Sequence, residues 1–234
     1  MESRNKIRLY FIAILMSMIF LFPFISNGEN ASFPLHNPLI INGDWAFPPY
    51  EYINDKGQPE GFNIDLTRAI MKELGYQYKI KLSDWKSIVN SLKCGKSDLL
   101  MGMIYSNERA RIFCFGPSHG YIYQNVVYRK GDLPIRMFDQ LKDKCVVVED
   151  HTTSHELLHD AGYDSHIVTV SNMNVALIKL SQGNFFAAMC DQDMADEIIK
   201  KNHLDNLVVA DLGLPHQEYR FVANDEALLD KIDK

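Results

Sequence analysis

The sequence is poor in the features that mark repetitive, unfolded and nucleic-acid-binding proteins. Its 234 residues include 13 glycines and 9 prolines, and 47% of them are hydrophobic, which excludes a collagen-like, low-complexity or disordered chain. The 24 basic residues are outnumbered by 30 acidic ones, which argues against a protein that wraps nucleic-acid phosphates. A globular protein with small solutes or proteins as partners, and with no nucleic acid, is therefore expected.

Several chemical motifs are also missing. There is no CxxC pair, which removes the common redox and structural zinc patterns. Neither GxSxG nor GxxxxGK[ST] occurs, so no nucleophile elbow or phosphate loop is predicted, and no cofactor or metal is expected. The four cysteines allow three disulfide pairings if the chain is exported, but each has apolar neighbours, and we expect four buried thiols: Cys94, Cys114, Cys145 and Cys190.

One long apolar run is present, at the N-terminus. Three basic residues precede the 17-residue run Leu9–Ile25, an arrangement typical of an export signal, and we expect cleavage near Gly28. An uncleaved anchor is the alternative, because a spanning helix needs about 20 residues. Residues 29–234 then carry 21 basic and 29 acidic residues, a net charge of −8. We expect an extracytoplasmic location.

Short strands and helices alternate through the rest of the chain. Apolar residues recur at helical spacing between Asn63, which can cap the helix, and Gly75, and residues 76–82 alternate as a strand does. This order predicts an α/β protein with a largely parallel sheet and helices on both faces. Ligands bind beyond the carboxyl ends of such strands, which here are the segments 44–50, 104–109 and 149–154, and Asp191.

Those segments carry a family resemblance. The segments Phe47–Tyr52 and Gly61–Leu66, then Tyr105–Arg109, and later Thr152-Thr153 and Cys190-Asp191 stand in the order and spacing of the periplasmic solute-binding proteins of the polar amino-acid type. The sequence is similar to this family over nearly the whole exported part.

The resemblance implies a fold and a domain division. The fold would be the two-lobed periplasmic-binding-protein-like II clamp, often called a Venus flytrap. Residues 1–28 would be the signal peptide, residues 36–128 the first lobe, completed by residues 219–234, and residues 129–218 the second lobe.

The resemblance also implies a site for a small polar or zwitterionic ligand, such as an amino acid. Arg109 would bind its carboxylate through a bidentate fork, helped by Thr152 and Thr153 at a helix N-terminus. Asp191 would accept its ammonium group. The remaining positions that we expect to line the site are Asp44, Phe47, Trp85 and Ile104.

Each of these residues also has an ordinary structural explanation. Arg109 could be a solvated loop residue, the two threonines could be helix caps, and Asp191 could cap the following helix. The aromatic residues could belong to the core, and Asp44 could initiate a turn.

Two departures from the family affect the ligand. Ile104 stands where amino-acid binders usually place a hydroxyl, and His151 replaces the usual glycine before the threonines. Residues 102–106 and 126–131 look more like the branch of sensor domains that precede histidine kinases. We therefore expect a membrane permease or a fused or partner sensor kinase to read the ligand. A final helix that starts near Asp225 is cut at Lys234, which suggests a longer parent.

A zinc peptidase is the rival hypothesis. His155, Glu156 and His159 form a literal HExxH, the arrangement in which two histidines hold zinc and the glutamate acts as base. The extended motif needs a third histidine where Ser165 stands. The motif also lies too soon after a strand, because zincin helices run several turns before it. We therefore expect a binding protein and not an enzyme.

Overall fold

The computed structural model describes residues 34–234, so the predicted export signal lies outside the described part of the chain. The strands there are β1 (Leu39–Asp44), β2 (Ala46–Phe47), β3 (Glu51–Ile53), β4 (Pro59–Glu60), β5 (Tyr78–Ser83), β6 (Leu99–Ile104), β7 (Cys114–Ile122), β8 (Gln124–Arg129), β9 (Val146–Glu149), β10 (Ile167–Val170), β11 (Ala187–Asp191), β12 (Leu207–Ala210) and β13 (Gln217–Ala223).

Six α-helices accompany these strands within the same residues. They are α1 (Phe62–Glu73), α2 (Trp85–Lys93), α3 (Thr153–Asp160), α4 (Met173–Ser181), α5 (Gln192–Lys201) and α6 (Glu226–Ile232). None of the helices in residues 34–234 is both long and apolar enough to cross a membrane.

The strands form two five-stranded sheets, one for each lobe. The first has the order β5-β1-β6-β13-β7 and the second the order β10-β9-β11-β8-β12, while β2, β3 and β4 form a small separate sheet. In each large sheet four strands run in the same direction, and one strand, β13 in the first sheet and β8 in the second, runs antiparallel to its two neighbours. Each sheet is therefore largely parallel, as predicted, with one antiparallel strand inserted.

Each lobe has its own core. In the first lobe, Ile41 of β1 and Leu99 of β6 pack against Ile64 of α1. In the second, Val147 of β9 and Leu177 of α4 belong to a separate buried cluster. The carboxyl ends of β1 and β6 from the first sheet and of β9 and β11 from the second line one cavity.

The boundary between the sheets differs from the predicted division of the lobes. Strand β8 was placed in the first lobe, residues 36–128, but it pairs with β11 and β12 of the second sheet. The chain therefore crosses at Tyr123, directly after β7, and returns between β12 and β13. Strand β13 pairs with β6 and β7 of the first sheet.

Asn63 does not cap the first helix as predicted. Gly61 occupies the N-cap position with φ 126°, a backbone conformation that favours glycine. Asn63 is buried inside the helix instead, where its Nδ2 donates to Glu51 Oε2 at 2.9 Å and to the Tyr219 hydroxyl at 3.2 Å.

The cysteines were also predicted wrongly. Only Cys190 is buried, Cys114 is half-buried, and Cys94 and Cys145 are exposed. The two exposed residues lie at a helix end and directly before a strand, where apolar neighbours in sequence do not imply burial.

Candidate functional site

A cavity lies between the two lobes at the carboxyl ends of the strands. Its volume is about 70 Å³, against the roughly 10–15 Å³ that one water molecule needs on the same measure, so it suits a small solute. All eight predicted site residues line it, namely Asp44, Phe47, Trp85, Ile104, Arg109, Thr152, Thr153 and Asp191. That they bind a ligand stays a prediction.

Arg109 follows β6 and is held on two sides. Its Nη1 donates to the Ile104 carbonyl oxygen at 3.1 Å, and its Nη2 donates to Glu156 Oε1 at 2.8 Å. The guanidinium lies 5.8 Å from the centre of the Trp85 ring. The Arg109 side chain is only 12% exposed, whereas Arg111 is exposed, so Arg109 is not the solvated loop residue of the alternative explanation.

The threonine segment begins helix α3 on the opposite wall. Thr152 occupies the N-cap position, but its Oγ1 donates to the Glu149 carbonyl oxygen at 2.8 Å and not to the helix. Thr153 is 6% exposed and its Oγ1 has no hydrogen-bond partner among the described residues. The Ser154 hydroxyl donates to Gln124 Oε1. Thr153 is therefore the hydroxyl that a ligand could satisfy.

His151, which precedes the threonines, has a left-handed backbone conformation. Its φ is 61°, in the left-handed region that non-glycine residues rarely adopt. The turn brings its carbonyl oxygen to Trp85 Nε1, which donates to it at 2.9 Å. His151 therefore adopts, without a glycine, a backbone conformation that glycine favours.

Two carboxyl groups lie on the first-lobe wall. Asp44 Oδ1 accepts from the Ala46 backbone N–H at 2.7 Å, so the predicted turn role is present. Glu51 accepts from the Asp44 backbone N–H at 2.7 Å and from Asn63. Burial raises the pKa of Asp44 to about 7 and that of Glu51 to about 8.

Two further carboxyl groups lie on the second-lobe wall. Asp191 is 4% exposed and its Oδ1 accepts from the Met194 backbone N–H at 2.9 Å, so it caps α5 while lining the cavity. Burial raises its pKa to about 7. Glu149 ends β9, and burial, followed by the charge of Asp44, raises its pKa to about 9.

The aromatic residues have unequal surroundings. Phe47 stacks on Tyr50 with ring centres 4.9 Å apart and meets the Tyr219 ring edge-on at 6.0 Å. It also packs against the core of the second lobe. Trp85 lies under the Arg109 guanidinium. Both rings line the cavity, and the predicted sandwich around a ligand side chain stays a prediction.

Among residues 34–234, four polar contacts join the lobes across the cleft. Three flank the cavity: Arg109 with Glu156, Trp85 with the His151 carbonyl, and the Tyr50 hydroxyl, which donates to Asp193 Oδ2 at 2.6 Å. The fourth joins Lys201 Nζ and Asp55 Oδ1 at 2.9 Å on the exposed surface. The structure is therefore a closed form of the clamp.

The HExxH residues face three different partners. His155 Nδ1 lies 3.3 Å from Asp150 Oδ1, His159 Nδ1 lies 2.6 Å from Asp164 Oδ1, and Glu156 pairs with Arg109. Within residues 34–234, no group of three or more His, Cys, Asp or Glu side chains is arranged to hold a metal ion. The motif matches the zinc peptidase pattern in sequence and not in geometry.

Sequence reasoning missed part of the cavity wall. Glu51, Gln124, Glu149 and Tyr219 line it alongside the predicted residues. Glu149 lay within the segment marked by the strand-end rule, because it ends a buried strand, and that signal alone could have found it. The other three have no comparable signal, since their positions depend on contacts between distant segments.

Comparisons with known proteins agree with this fold. The model of the bacterial extracellular solute-binding proteins, family 3, matches residues 39–234. A probable histidine-binding protein of Neisseria gonorrhoeae is 26% identical over 210 residues, which cover 86% of this chain and 78% of that protein. The crystal structure of a histidine kinase sensor domain with similarity to periplasmic binding proteins superposes with a TM-score of 0.82 at 30% identity, covering 85% of this chain and 88% of the other.

An enzyme is also among the relatives, beside proteins that are named as binding proteins. The membrane-bound lytic murein transglycosylase F of Vibrio cholerae is 32% identical over 162 residues. The match covers 61% of this chain and only 31% of the transglycosylase. The predicted family resemblance and the two-lobed α/β fold are confirmed by the family model and the structural neighbour.

Proposed function

The chain belongs to the bacterial extracellular solute-binding proteins, family 3, and we propose that it captures one small zwitterion bearing an additional positive charge between its two lobes. The observation that carries this is the shared cavity: every residue predicted to bind the ligand lines one space of about 70 Å³ between the lobes. The histidine-binding relative supports an amino-acid-like solute.

The two ends of the solute have matching groups. A carboxylate accepts from the remaining N–H groups of Arg109, from the Thr153 hydroxyl and from the backbone N–H groups at the start of α3, where the helix dipole favours an anion. An ammonium group donates to Asp191, whose carboxylate keeps one oxygen for the cap of α5. Phe47 and Trp85 cover the apolar part.

The charge of the cavity favours a cationic solute. Four carboxyl groups line it, belonging to Asp44, Glu51, Glu149 and Asp191, whereas Arg109 is the single basic side chain among its described lining residues. Arg109 is already paired with Glu156. A solute with two carboxylates would add negative charge to this set, and a solute with an extra cation would offset it.

Closure of the two lobes accounts both for capture of the solute and for the signal that a membrane partner receives. The solute contacts both walls, so it binds the closed form better than the open one and shifts the population towards closure. A membrane permease or a sensor kinase then reads the closed form. The histidine-binding relative supports uptake and the sensor-domain neighbour supports sensing. We infer a binding role without catalysis, and an extracytoplasmic location reached through residues 1–28.

The function is tested by titration calorimetry and thermal-shift screening against the common amino acids. We expect one-to-one binding and a melting temperature that rises with ligand concentration. Failure of all amino acids to bind would contradict the proposal. A stoichiometric zinc ion, together with peptidase activity lost in Glu156→Gln, would favour the rival enzyme.

A further inference from the structure

The turn between β9 and α3 supplies one of the contacts that hold the lobes together. His151 has φ 61° in this turn, and its carbonyl oxygen accepts from Trp85 Nε1 of the other lobe at 2.9 Å. The left-handed conformation costs free energy in a residue other than glycine, and it persists only where neighbouring contacts hold it. The turn therefore needs groups that fix it in place.

An imidazole of helix α3 is one of those groups. His155 is the third residue of the helix, and its Nδ1 accepts from the His151 backbone N–H at 3.3 Å. The bond resembles a capping box, in which the side chain of the third helical residue accepts from the backbone N–H of the N-cap. Here the donor is one residue earlier. Thr152 holds the turn from the other side, because its Oγ1 donates to the Glu149 carbonyl oxygen.

The carboxylate of Asp150 competes for the same imidazole nitrogen. Its Oδ1 lies 3.3 Å from His155 Nδ1, and its Oδ2 lies 3.2 Å from His151 Nε2. Among residues 34–234, only the His151 N–H forms a hydrogen bond with His155 Nδ1. A ring nitrogen that accepts from an N–H carries no proton, whereas one that donates to a carboxylate must carry one. The two contacts therefore exclude each other, and the geometry is that of an unprotonated Nδ1.

We propose that His155 is a positioning residue for closure of the lobes: its unprotonated Nδ1 holds the His151 turn and, through that turn, the contact with Trp85. This inference rests on the proposed function, because the closed form is the one that holds the solute. When Nδ1 gains a proton, its N–H is attracted to Asp150, and the His151 N–H loses its acceptor. Imidazole groups gain such a proton between about pH 8 and pH 5. The first histidine of the HExxH motif thus makes closure sensitive to acid.

The charges that face His155 agree with this direction. In its own lobe, Asp150 lies beside the ring, and Asp164 follows α3. The hydrogen bond with His159 lowers the pKa of Asp164, and the charge of His155 adds a smaller effect of the same sign. The groove that adjoins the turn adds charges of both signs, from Lys86, Glu108, Arg109, Glu156, His159 and Asp160. Carboxylates are therefore in place to hold a protonated ring away from the turn.

The bond itself is tested by long-range ¹H–¹⁵N NMR of the imidazole rings in ligand-free protein at pH 8. The resonances of His155 are assigned by their loss in His155→Asn. We expect the tautomer with its proton on Nε2, because Nδ1 accepts from the backbone. A proton on Nδ1 at this pH would overturn the proposal, and this result does not depend on which solute the protein binds.

The effect on closure is tested by calorimetry with L-arginine, an amino acid with an additional positive charge, at pH 8 and pH 5.5. The Oδ1 of asparagine accepts where Nδ1 does and gains no proton. His155→Asn should therefore bind as wild type at pH 8 and about threefold or more tightly than wild type at pH 5.5. His155→Ala should bind roughly three- to tenfold more weakly than wild type at pH 8. The matched control is His159→Asn, one helical turn later, which should bind as wild type at both pH values.

The ratio of wild type to His155→Asn isolates the imidazole, because the cavity carboxyl groups titrate in both proteins. An equal pH dependence in the two proteins would overturn the acid sensitivity. Wild-type affinity in His155→Ala at pH 8 would overturn the positioning role. If wild-type protein binds no amino acid, the proposed function falls, and the tautomer of His155 still decides whether the bond exists. Should His155→Ala fail to give a cooperative thermal transition, the decision rests on His155→Asn.

A spectroscopic signature reports the cross-lobe contact directly. Trp85 is one of two tryptophans in the chain, so its Nε1–H resonance is followed in the L-arginine complex with that of Trp45 as reference. Acidification from pH 8 to pH 5.5 should move the Trp85 resonance in wild type and leave it in place in His155→Asn. A resonance that stays fixed in wild type, or that moves equally in both proteins, would overturn the proposal.

Discussion

The two walls of the cavity differ in how their polar groups are satisfied. On the first-lobe wall, Glu51 accepts from Asp44 and Asn63, and Asp44 accepts from Ala46, all within the same lobe. On the second-lobe wall, the Thr153 hydroxyl and the Glu149 carboxyl have no partner among the described residues. The first wall is therefore organised by contacts within its own lobe, and under the proposed function a solute would complete the second wall.

This difference sets the energetics of closure. In an open clamp, water hydrates the second-lobe groups, and closure removes that water at a cost unless a solute replaces it. The cross-lobe contacts of Arg109, Trp85 and Tyr50 offset part of this cost. A solute that completes the second wall then makes closure favourable.

The largest expected effect on affinity comes from removing the positive charge of Arg109 on the first-lobe wall. Arg109→Ala removes the carboxylate fork, and truncating one partner of a buried charge pair costs about 2–5 kcal/mol. Affinity for L-arginine measured by calorimetry should fall by at least roughly 30-fold. The control is Arg111→Ala, exposed in the same short helix, which should bind as wild type. Unchanged affinity in Arg109→Ala would remove Arg109 from the site.

The second wall is tested by Asp191→Asn. Asparagine keeps the N-cap of α5, because it accepts the same backbone hydrogen bond, and removes only the negative charge offered to an ammonium group. We expect a loss of affinity of about tenfold or more at nearly unchanged melting temperature. Asp225→Asn, the corresponding cap of α6, controls for the cap alone. Equal affinity in both variants would contradict the ammonium site.

The pH dependence of binding tests the negative charge that Asp44 supplies on the first-lobe wall and Asp191 supplies on the second-lobe wall. Burial raises the pKa of Asp44 and of Asp191 to about 7, so both groups are largely protonated at pH 5.5 and largely ionised at pH 8. Because a cationic solute binds the ionised forms, affinity for L-arginine should rise across this range. Below pH 7, each of the two groups should contribute a roughly tenfold rise in affinity per pH unit. Asp191→Asn should have a shallower profile, and a flat wild-type profile would count against the electrostatic assignment.

The stability of the ligand-free protein should change with pH in the opposite direction. The folded-state pKa values of Asp44, Glu51, Glu149 and Asp191 lie above those of unfolded carboxyl groups. The folded state therefore binds more protons, and the stability that they contribute is lost as pH rises through about 7 to 9. Thermal denaturation should give a lower melting temperature at pH 9 than at pH 6, and added L-arginine should reduce the difference. A higher melting temperature at pH 9 would contradict these shifts.

The smallest effects should come from the cross-lobe ion pairs. Glu156 is 47% exposed, and such pairs contribute about 0.2–1 kcal/mol. Glu156→Gln should therefore weaken L-arginine binding only about two- to fivefold, because it destabilises the closed form slightly. Asp55→Asn breaks the still more exposed pair with Lys201 and should have no measurable effect. A loss beyond tenfold in Glu156→Gln would mean that Glu156 contacts the solute.

The sequence predicted the elements that local pattern defines. The helix predicted between Asn63 and Gly75 and the strand predicted at residues 76–82 lie within a few residues of α1 and β5, because apolar periodicity marks them. Strand β7 was not predicted, since Gly116, Pro117 and Gly120 interrupt it, and such residues usually indicate loops. The crossing at Tyr123 depends on which sheet β8 joins, and local pattern carries no information about that choice.

The candidate site, like the fold, was predictable in part from the sequence. The strand-end rule and the family resemblance together found eight lining residues, including Arg109 and Asp191. Neither could show that Glu156 of the HExxH pairs with Arg109 across the cleft, because the two residues lie 47 positions apart. The lack of any partner for Thr153 is likewise visible only after folding.

The central claim, that a solute completes the second wall and closes the lobes, is tested most directly by pulsed EPR distance measurement. Exposed Cys94 in the first lobe and Cys145 in the second are natural sites for spin labels, with Cys114 replaced by alanine to prevent a third label. An L-arginine concentration that just saturates wild-type protein should shift the distance between the labels to a single narrow population. At the same concentration Arg109→Ala, whose affinity should be at least roughly 30-fold lower, should keep most of its unliganded distribution. Binding of L-arginine with no change in the distance distribution would contradict the account.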